Sequence, residues 1–549
     1  MIKFSEYFAI LGFALSASAT SGPTVDLGYV RYQGVHNETL GINTFKGVHY
    51  AAPPIGDLRW RAPVPIESRN NFTGDQIVDA TVQGNQCVQG VPGWVSGVVA
   101  NVTALLAISA APPPSNEDCL LLDVIVPSKP VTSSLPVIIQ IHGGGYTMGS
   151  STSSDGSQLV GRSDGSVIYV QIQYRLGAYG FLGASIVRED GVANAGLLDQ
   201  REAMRWVQRN IRRFGGDPAR VTIWGGSAGG GSVAKYPYWN NFPNETALET
   251  QYDLLRTASN CSTLACLRNL PAAALANATQ TTYFAAYISG QYPYGEFYYV
   301  PTIDGVIIRD TFSTEFERGH FSKVPLLTDH DAFEGATFAN FSVDSVAMAT
   351  ANLKQRIPLA GPSYFARLYE LYPLSSYSEG YFSAAFFQSI VYKTLSSYIS
   401  SVSTENTVFW RLQEIIGDLQ ITCVTYWMGS ALVNTGQKVW KLKYSTGSFL
   451  HGATAAPLFL ASSSTTNTTQ SDMMKDYFLS FAIDLDPNSF TPPLSNLSRP
   501  YWPEYVDAQD YGSGFSVLEV NETRIGVVTD QDASARCDFL QANAFAAQK

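Results

Sequence analysis

The chain has 549 residues, 45 % of them hydrophobic and 15 % charged, with 35 Lys plus Arg against 46 Asp plus Glu and a net charge of -11. That is a core-forming composition, which excludes general disorder, and its acidic balance argues against nucleic acid as a partner because phosphate backbones are repelled. The 28 Pro and 46 Gly exclude collagen-like and low-complexity classes.

Residues 1–19 read as a secretory signal peptide. Lys3 supplies a basic start, Tyr7 to Leu15 is a short apolar run, and Ala17-Ser18-Ala19 has the small-x-small cleavage pattern. The run is too short to span a bilayer, and no later run is long enough to do so. The expectation is a secreted protein with no transmembrane segment. Asn-x-Ser/Thr sequons at Asn37, Asn71, Asn101, Asn244, Asn260, Asn277, Asn340, Asn467, Asn496 and Asn521 fit a glycosylated, exported surface. The six Cys include no CxxC pair, so they do not resemble a zinc module. In an oxidising compartment they suit three disulfides.

Residues 20–549 show neither an internal repeat nor a linker, so one domain is expected. Leu135 to Ile141 and Ser166 to Gln173 are buried strand signals. Asn194 to Phe214 carries a helix pattern, and Arg220 to Trp224 is a third strand. Beyond residue 330 the pattern becomes mostly helical and aromatic-rich, and Ser462 to Ser471 reads as one surface loop. Alternating strands and helices predict an α/β fold with a mainly parallel central sheet flanked by helices.

The third strand runs directly into Gly225-Gly226-Ser227-Ala228-Gly229, a G-x-S-x-G in the context that a nucleophile elbow requires. A phosphate loop fits less well, because no Lys stands where a Walker A loop needs one. A serine nucleophile needs an imidazole base. The six His are His36, His49, His142, His320, His330 and His451. With the order Ser, acid, His, His451 is the best base, on a loop after the strand Val439 to Tyr444. The strand Val324 to Thr328 precedes Asp329, Asp331 and Glu334, and position alone leaves all three open as the acid that orients His451. His142-Gly143-Gly144-Gly145 follows the strand Leu135 to Ile141 and resembles a loop that offers backbone N–H groups to an oxyanion. The N–H of Ala228 supplies the other donor.

These residues resemble the type-B carboxylesterase family, which also contains fungal lipases and cholinesterases. Gly47 to Pro63, Asn116 to Leu120, Tyr174 to Leu182 and Asn194 to Pro218 each resemble a motif of that family, and the resemblance runs from about Gly28 to the C-terminus. It implies the α/β-hydrolase fold and carboxylic ester hydrolysis without a cofactor or metal. It further implies Glu334 as the acid, through the Glu334-Gly335 pair, and Gly144, Gly145 and Ala228 as oxyanion donors. The implied disulfides are Cys87–Cys119, Cys261–Cys266 and Cys423–Cys537, and Arg59–Glu117 and Arg175–Asp199 are implied as structural ion pairs.

The sequence departs from the family twice. Glu usually precedes the serine, and here Gly226 stands instead, which removes a carboxylate near the catalytic His. Lys235 to Trp239 follows Val233-Ala234 at once, where relatives finish a helix and add another core strand. The resemblance implies that about twenty residues are absent there. Between Cys87 and Cys119 lies a long apolar loop, read either as a lid that meets lipid or as a packed surface loop. Trp94 does not stand at the cholinesterase choline-binding position. Gln291 to Tyr299 and Tyr381 to Phe387 are aromatic stretches that suit either an acyl pocket or core. The expected function is hydrolysis of a small-molecule or lipid ester, with transient contact at a lipid interface. The alternatives are a non-catalytic binding protein on the same fold and an inactive product of a faulty gene model.

Overall fold

The computed structural model describes residues 22–73, 76–96, 115–234, 243–377, 406–465, 467–489, 497–506 and 515–547. The expected signal peptide, residues 97–114 of the apolar loop, the Lys235 to Trp239 junction and Tyr381 to Phe387 lie outside them.

Apolar runs build the inner strands. β6 (Leu121–Pro127), β7 (Leu135–Ile141) and β8 (Ile168–Ile172) are buried at every residue, as strands covered on both faces must be. With β3 (Val35–Asn37), β4 (Ile42–His49) and β9 (Gly216–Gly225) they form a six-stranded sheet in the order β3-β4-β6-β8-β7-β9. The pairs β8–β7 and β7–β9 are parallel, and the outer pairs are antiparallel. A second sheet orders β10 (Leu326–Asp331), β11 (Val439–Ser445), β12 (Ser516–Asn521) and β13 (Ile525–Thr529), parallel except for the last pair. A small sheet of β1 (Thr24–Asp26), β2 (Arg31–Gln33) and β5 (Ile77–Asp79) lies near the N-terminus.

The parallel core is therefore divided between two sheets. Among the described residues no hydrogen bond joins β9 to β10. β9 is accordingly poorly covered. Ile223 at its centre is 37 % exposed, whereas the facing residues of β7 are buried. An interior strand is normally shielded along its length.

Several elements differ from the sequence reading. The helix ends at Asn210 and closes through a 3-10 turn, Ile211–Phe214, with Gly215 left-handed at φ 86°. β10 starts and ends later than expected, so Asp329 and Asp331 lie in the strand rather than on a loop. The polar stretch is not one loop, because Asn467 accepts from Gln470 N and caps the helix Thr468–Asp484. The region beyond residue 330 also contains β12 and β13, which the sequence pattern did not reveal.

Cross-links fasten the body. The disulfides are Cys87–Cys119, Cys261–Cys266 and Cys423–Cys537. Arg59 grips Glu117 with two bonds of 2.7 and 2.6 Å and also donates to the carbonyls of Leu267, Arg268 and Leu270. Arg175 binds both oxygens of Asp199 at 2.7 Å. Both pairs are buried, so removing one partner would strand a charge. They are structural.

Candidate active site

β9 delivers Ser227 at a sharp turn. Ser227 has φ 56° and ψ -127°, a strained conformation for a residue with a side chain, and the helix Ala228–Val233 starts immediately after it. The turn closes only because its flanks are glycine. A Cβ on Gly225 would lie 2.3 Å from Gly229 C, and one on Gly229 would lie 2.0 Å from Ile141 O. Gly226 is different, since nothing lies within 4 Å of its Cβ position. The place where the family usually has Glu is therefore open space rather than a steric necessity.

Ser227 faces a base carried by the other sheet. Ser227 Oγ lies 2.8 Å from His451 Nε2, and His451 Nδ1 lies 2.6 Å from Glu334 Oε2. Glu334 Oε1 accepts from Asp331 N at 2.6 Å, so both its oxygens are held. Glu334 is buried, and the Phe338 ring stands edge-on to His451 with centroids 5.0 Å apart. Burial opposes charge on His451, but Glu334, with Asp331 and Asp329 behind it, outweighs burial and raises the imidazole above its ordinary value. Burial, followed by the Glu334 charge, lifts Asp329 to about 6. Of the three carboxylates left open by position, Glu334 is the one at the imidazole. Asp331 instead binds the loop that follows His451.

The glycine loop lies against this turn. A Cβ on Gly143 would meet Ser227 Cβ at 2.9 Å. Gly144 and Gly145 are left-handed at φ 106° and 62°, and a Cβ on Gly145 would fall 2.2 Å from the Phe297 ring. Among the described residues no acceptor takes the N–H of Gly144, Gly145 or Ala228. His142 anchors the loop from behind, with Nδ1 2.9 Å from Gly143 O and its ring stacked on Tyr174. Burial pushes His142 down to about 4, which favours its neutral form. The other His bind elsewhere: His36 to Asn43, His49 to Asp118, His320 to Glu315 and His330 to Asp532.

The wall beside the glycine loop is aromatic. Trp94, from the described start of the apolar loop, donates to Glu296 O at 2.6 Å and packs against Tyr294 and Phe297. Tyr292, Tyr294, Tyr298 and Tyr299 are buried core, while Phe297 is only partly buried and faces Gly145. Among the described residues the one group of candidate metal ligands is Asp418 with Cys423 and Cys537, and both sulfurs are tied in a disulfide. No described helix is long and apolar enough to cross a membrane.

Comparison with known proteins places this arrangement. The carboxylesterase family model matches residues 22–236 and 240–539. Secreted lipase 1 of Botryotinia fuckeliana is 29 % identical over 579 aligned residues, covering 95 % of this chain and 93 % of that protein. Carboxylesterase patB of Penicillium expansum is 30 % identical, covering 85 % of this chain and 88 % of that protein. Among solved structures, Aspergillus niger EstA superposes with a TM-score of 0.74 at 26 % identity, covering 96 % of this chain and 99 % of that one. PNB esterase shares the fold, with a TM-score of 0.70 at 23 % identity and coverage of 94 % and 99 %.

Proposed function

Because this chain belongs to the carboxylesterase family and is a carboxylic ester hydrolase of α/β-hydrolase fold, we propose that it is secreted and works through an acyl-enzyme on a Ser-Glu-His triad. The observation that carries this reading is the relay Ser227–His451–Glu334, at 2.8 and 2.6 Å. Ser227 Oγ attacks the ester carbonyl carbon and passes its proton to His451 Nε2. Glu334 holds Nδ1 and stabilises the imidazolium. The N–H groups of Gly144, Gly145 and Ala228 receive the developing oxyanion, where each donor contributes about 2.7–4 kcal/mol. The tetrahedral intermediate collapses, the alcohol leaves with the proton from His451, and the acyl group stays on Oγ. Water then gives a proton to His451 and attacks the acyl carbon, and the acid leaves as Ser227 recovers its proton. No metal or cofactor enters these steps.

The substrate class is a small-molecule or lipid ester. Relatives named carboxylesterase and lipase support that range, and the Trp94–Phe297 wall suits an apolar acyl group. Contact with a lipid interface through the apolar loop between Cys87 and Cys119 is part of the proposal, as is the reading of residues 20–549 as one domain. The test is hydrolysis of p-nitrophenyl esters of graded chain length by the secreted protein. Ser227→Ala is expected to lose about 10⁴-fold or more in kcat. A variant that keeps the wild-type rate would overturn the assignment.

One observation favours a second reading, the inactive product of a faulty gene model. The sheets part at β9 and β10, and the family match is interrupted between residues 236 and 240. A helix end and a strand inserted after Ala234 would fill that position. Sequencing the transcript across Ala234–Lys235 decides it, since a contiguous junction ends the gene-model explanation.

A further inference from the structure

We infer that Asp331 is the positioning residue of the active site, clamping the loop that carries His451 to the strand that carries the acid. The inference rests on the triad reading above and adds a residue that neither touches the substrate nor contacts the imidazole.

The loop after β11 has little regular structure to define its shape. Gly447, Phe449 and Gly452 are left-handed, with φ of 68°, 59° and 88°. For Phe449 that conformation is strained and persists only where neighbours impose it. Two attachments do so. On the near side of His451, Phe333 N donates to Phe449 O at 2.9 Å. On the far side, the buried Asp331 carboxylate takes four bonds from three successive residues. Its Oδ2 accepts from Gly452 N at 2.7 Å and Ala453 N at 2.9 Å, and its Oδ1 accepts from Thr454 N at 3.1 Å and Thr454 Oγ1 at 2.7 Å. Its own N–H holds Glu334 Oε1. One residue thus fixes both the acid and the base.

An anion suits this place better than an amide. All four partners are donors, and an Asn side chain would turn its NH₂ toward two of them. Burial, followed by the Glu334 charge, raises the Asp331 carboxyl well above its usual range, and the bond from Thr454 works against that rise by favouring the ionised form. The charge also acts on the base. Glu334, Asp331 and Asp329 are the carboxylates that act on His451, and His330 and Tyr444 border the same cluster, with Lys441 and Lys443 acting on His330. In its ionised form Asp331 adds a second negative charge near the imidazole, where Gly226 brings none.

The test compares Asp331→Asn and Asp331→Ala with wild type in kcat, KM and the pH profile of kcat/KM, with Ser227→Ala as the reference. Asp331→Ala is expected to lose about 100-fold in kcat, the scale of a 1 Å misplacement of a reacting group. Asp331→Asn, which keeps the shape and one acceptor, is expected to recover part of that loss to about tenfold below wild type, with KM within about threefold in both. Removing a nearby negative charge lowers the pKa of His451, so the acid limb should move down by about 0.5–1 pH unit. A purely structural residue would lower the folded fraction without moving that limb. If Asp331→Ala does not fold, Asp331→Asn decides. Wild-type kcat and an unmoved limb in folded Asp331→Asn would overturn the inference while leaving the triad intact. Full activity in Ser227→Ala would instead overturn the triad itself.

Discussion

Ser227 occupies a left-handed position that only crowding on both sides maintains, so the two glycines beside it differ in what they tolerate. Gly229→Ala drives a Cβ to 2.0 Å from the Ile141 carbonyl, and the backbone must shift. We expect a loss of about 2 kcal/mol or more of stability, together with most activity. Gly226→Ala meets nothing and reduces the freedom of the unfolded chain, so it should be neutral or stabilise by up to about 1 kcal/mol. Urea melts of both variants check this pair. The same environment sets the pH response. In the proposed mechanism His451 must be neutral to accept the Ser227 proton, and its carboxylate neighbours outweigh burial and raise it. The acid limb of kcat/KM should therefore lie above about 6.5, the ordinary imidazole value. A limb below 6 would contradict that balance. Ser227, His451 and the glycine loop could be singled out in the sequence as candidates because each sits at a turn whose residues have few other uses. The acid was not legible from position alone, since the contacts that separate Glu334 from Asp329 and Asp331 come from a loop more than a hundred residues away in sequence.

At the scale of elements, β10 shows why boundaries were harder to read. Its last residues are Asp329-His330-Asp331, and charges at the end of an apolar run read as loop. They remain in the strand because each carboxylate and ring finds partners inside. Asp331 has the His loop, and His330 has Asp532 at 3.0 Å. Asp532 and Asp530 in turn hold Lys441 of β11 at 2.6 and 2.8 Å, with Lys441 fully buried. β12 and β13 escaped the sequence reading for a related reason, as short strands whose polar residues gain partners only through the fold. Lys441→Met would leave two buried carboxylates without their cation, and we expect about 3–5 kcal/mol of destabilisation in a denaturant melt. Burial works against the charge on Asp532, but Lys441 and His330 overcome it and hold the carboxyl well below its usual range. A depressed carboxylate stabilises above its unfolded value and ceases to do so as pH falls. Wild type should therefore lose stability below about pH 4, and Lys441→Met should lose less of it there.

The whole molecule is an α/β-hydrolase whose proposed triad draws on two sheets. Ser227 stands at the end of one, and Glu334 and His451 stand on the other. The family match is interrupted between residues 236 and 240, and the structure parts at the neighbouring edges of β9 and β10. Among the described residues no hydrogen bond joins those edges and Ile223 is partly exposed, an arrangement that lowers stability. Inserting a helix end and a strand after Ala234 should raise Tm by about 5 °C or more. An unchanged or lower Tm would mean that this chain has adapted to the shorter form. The central claim is that the two sheets nevertheless bring one working triad together. The most direct measurement is fluorophosphonate labelling of the secreted, folded protein, followed by mass mapping, with Ser227→Ala alongside. The account predicts one label per chain, on Ser227, and none in the variant. A folded wild-type protein that takes no label would contradict it.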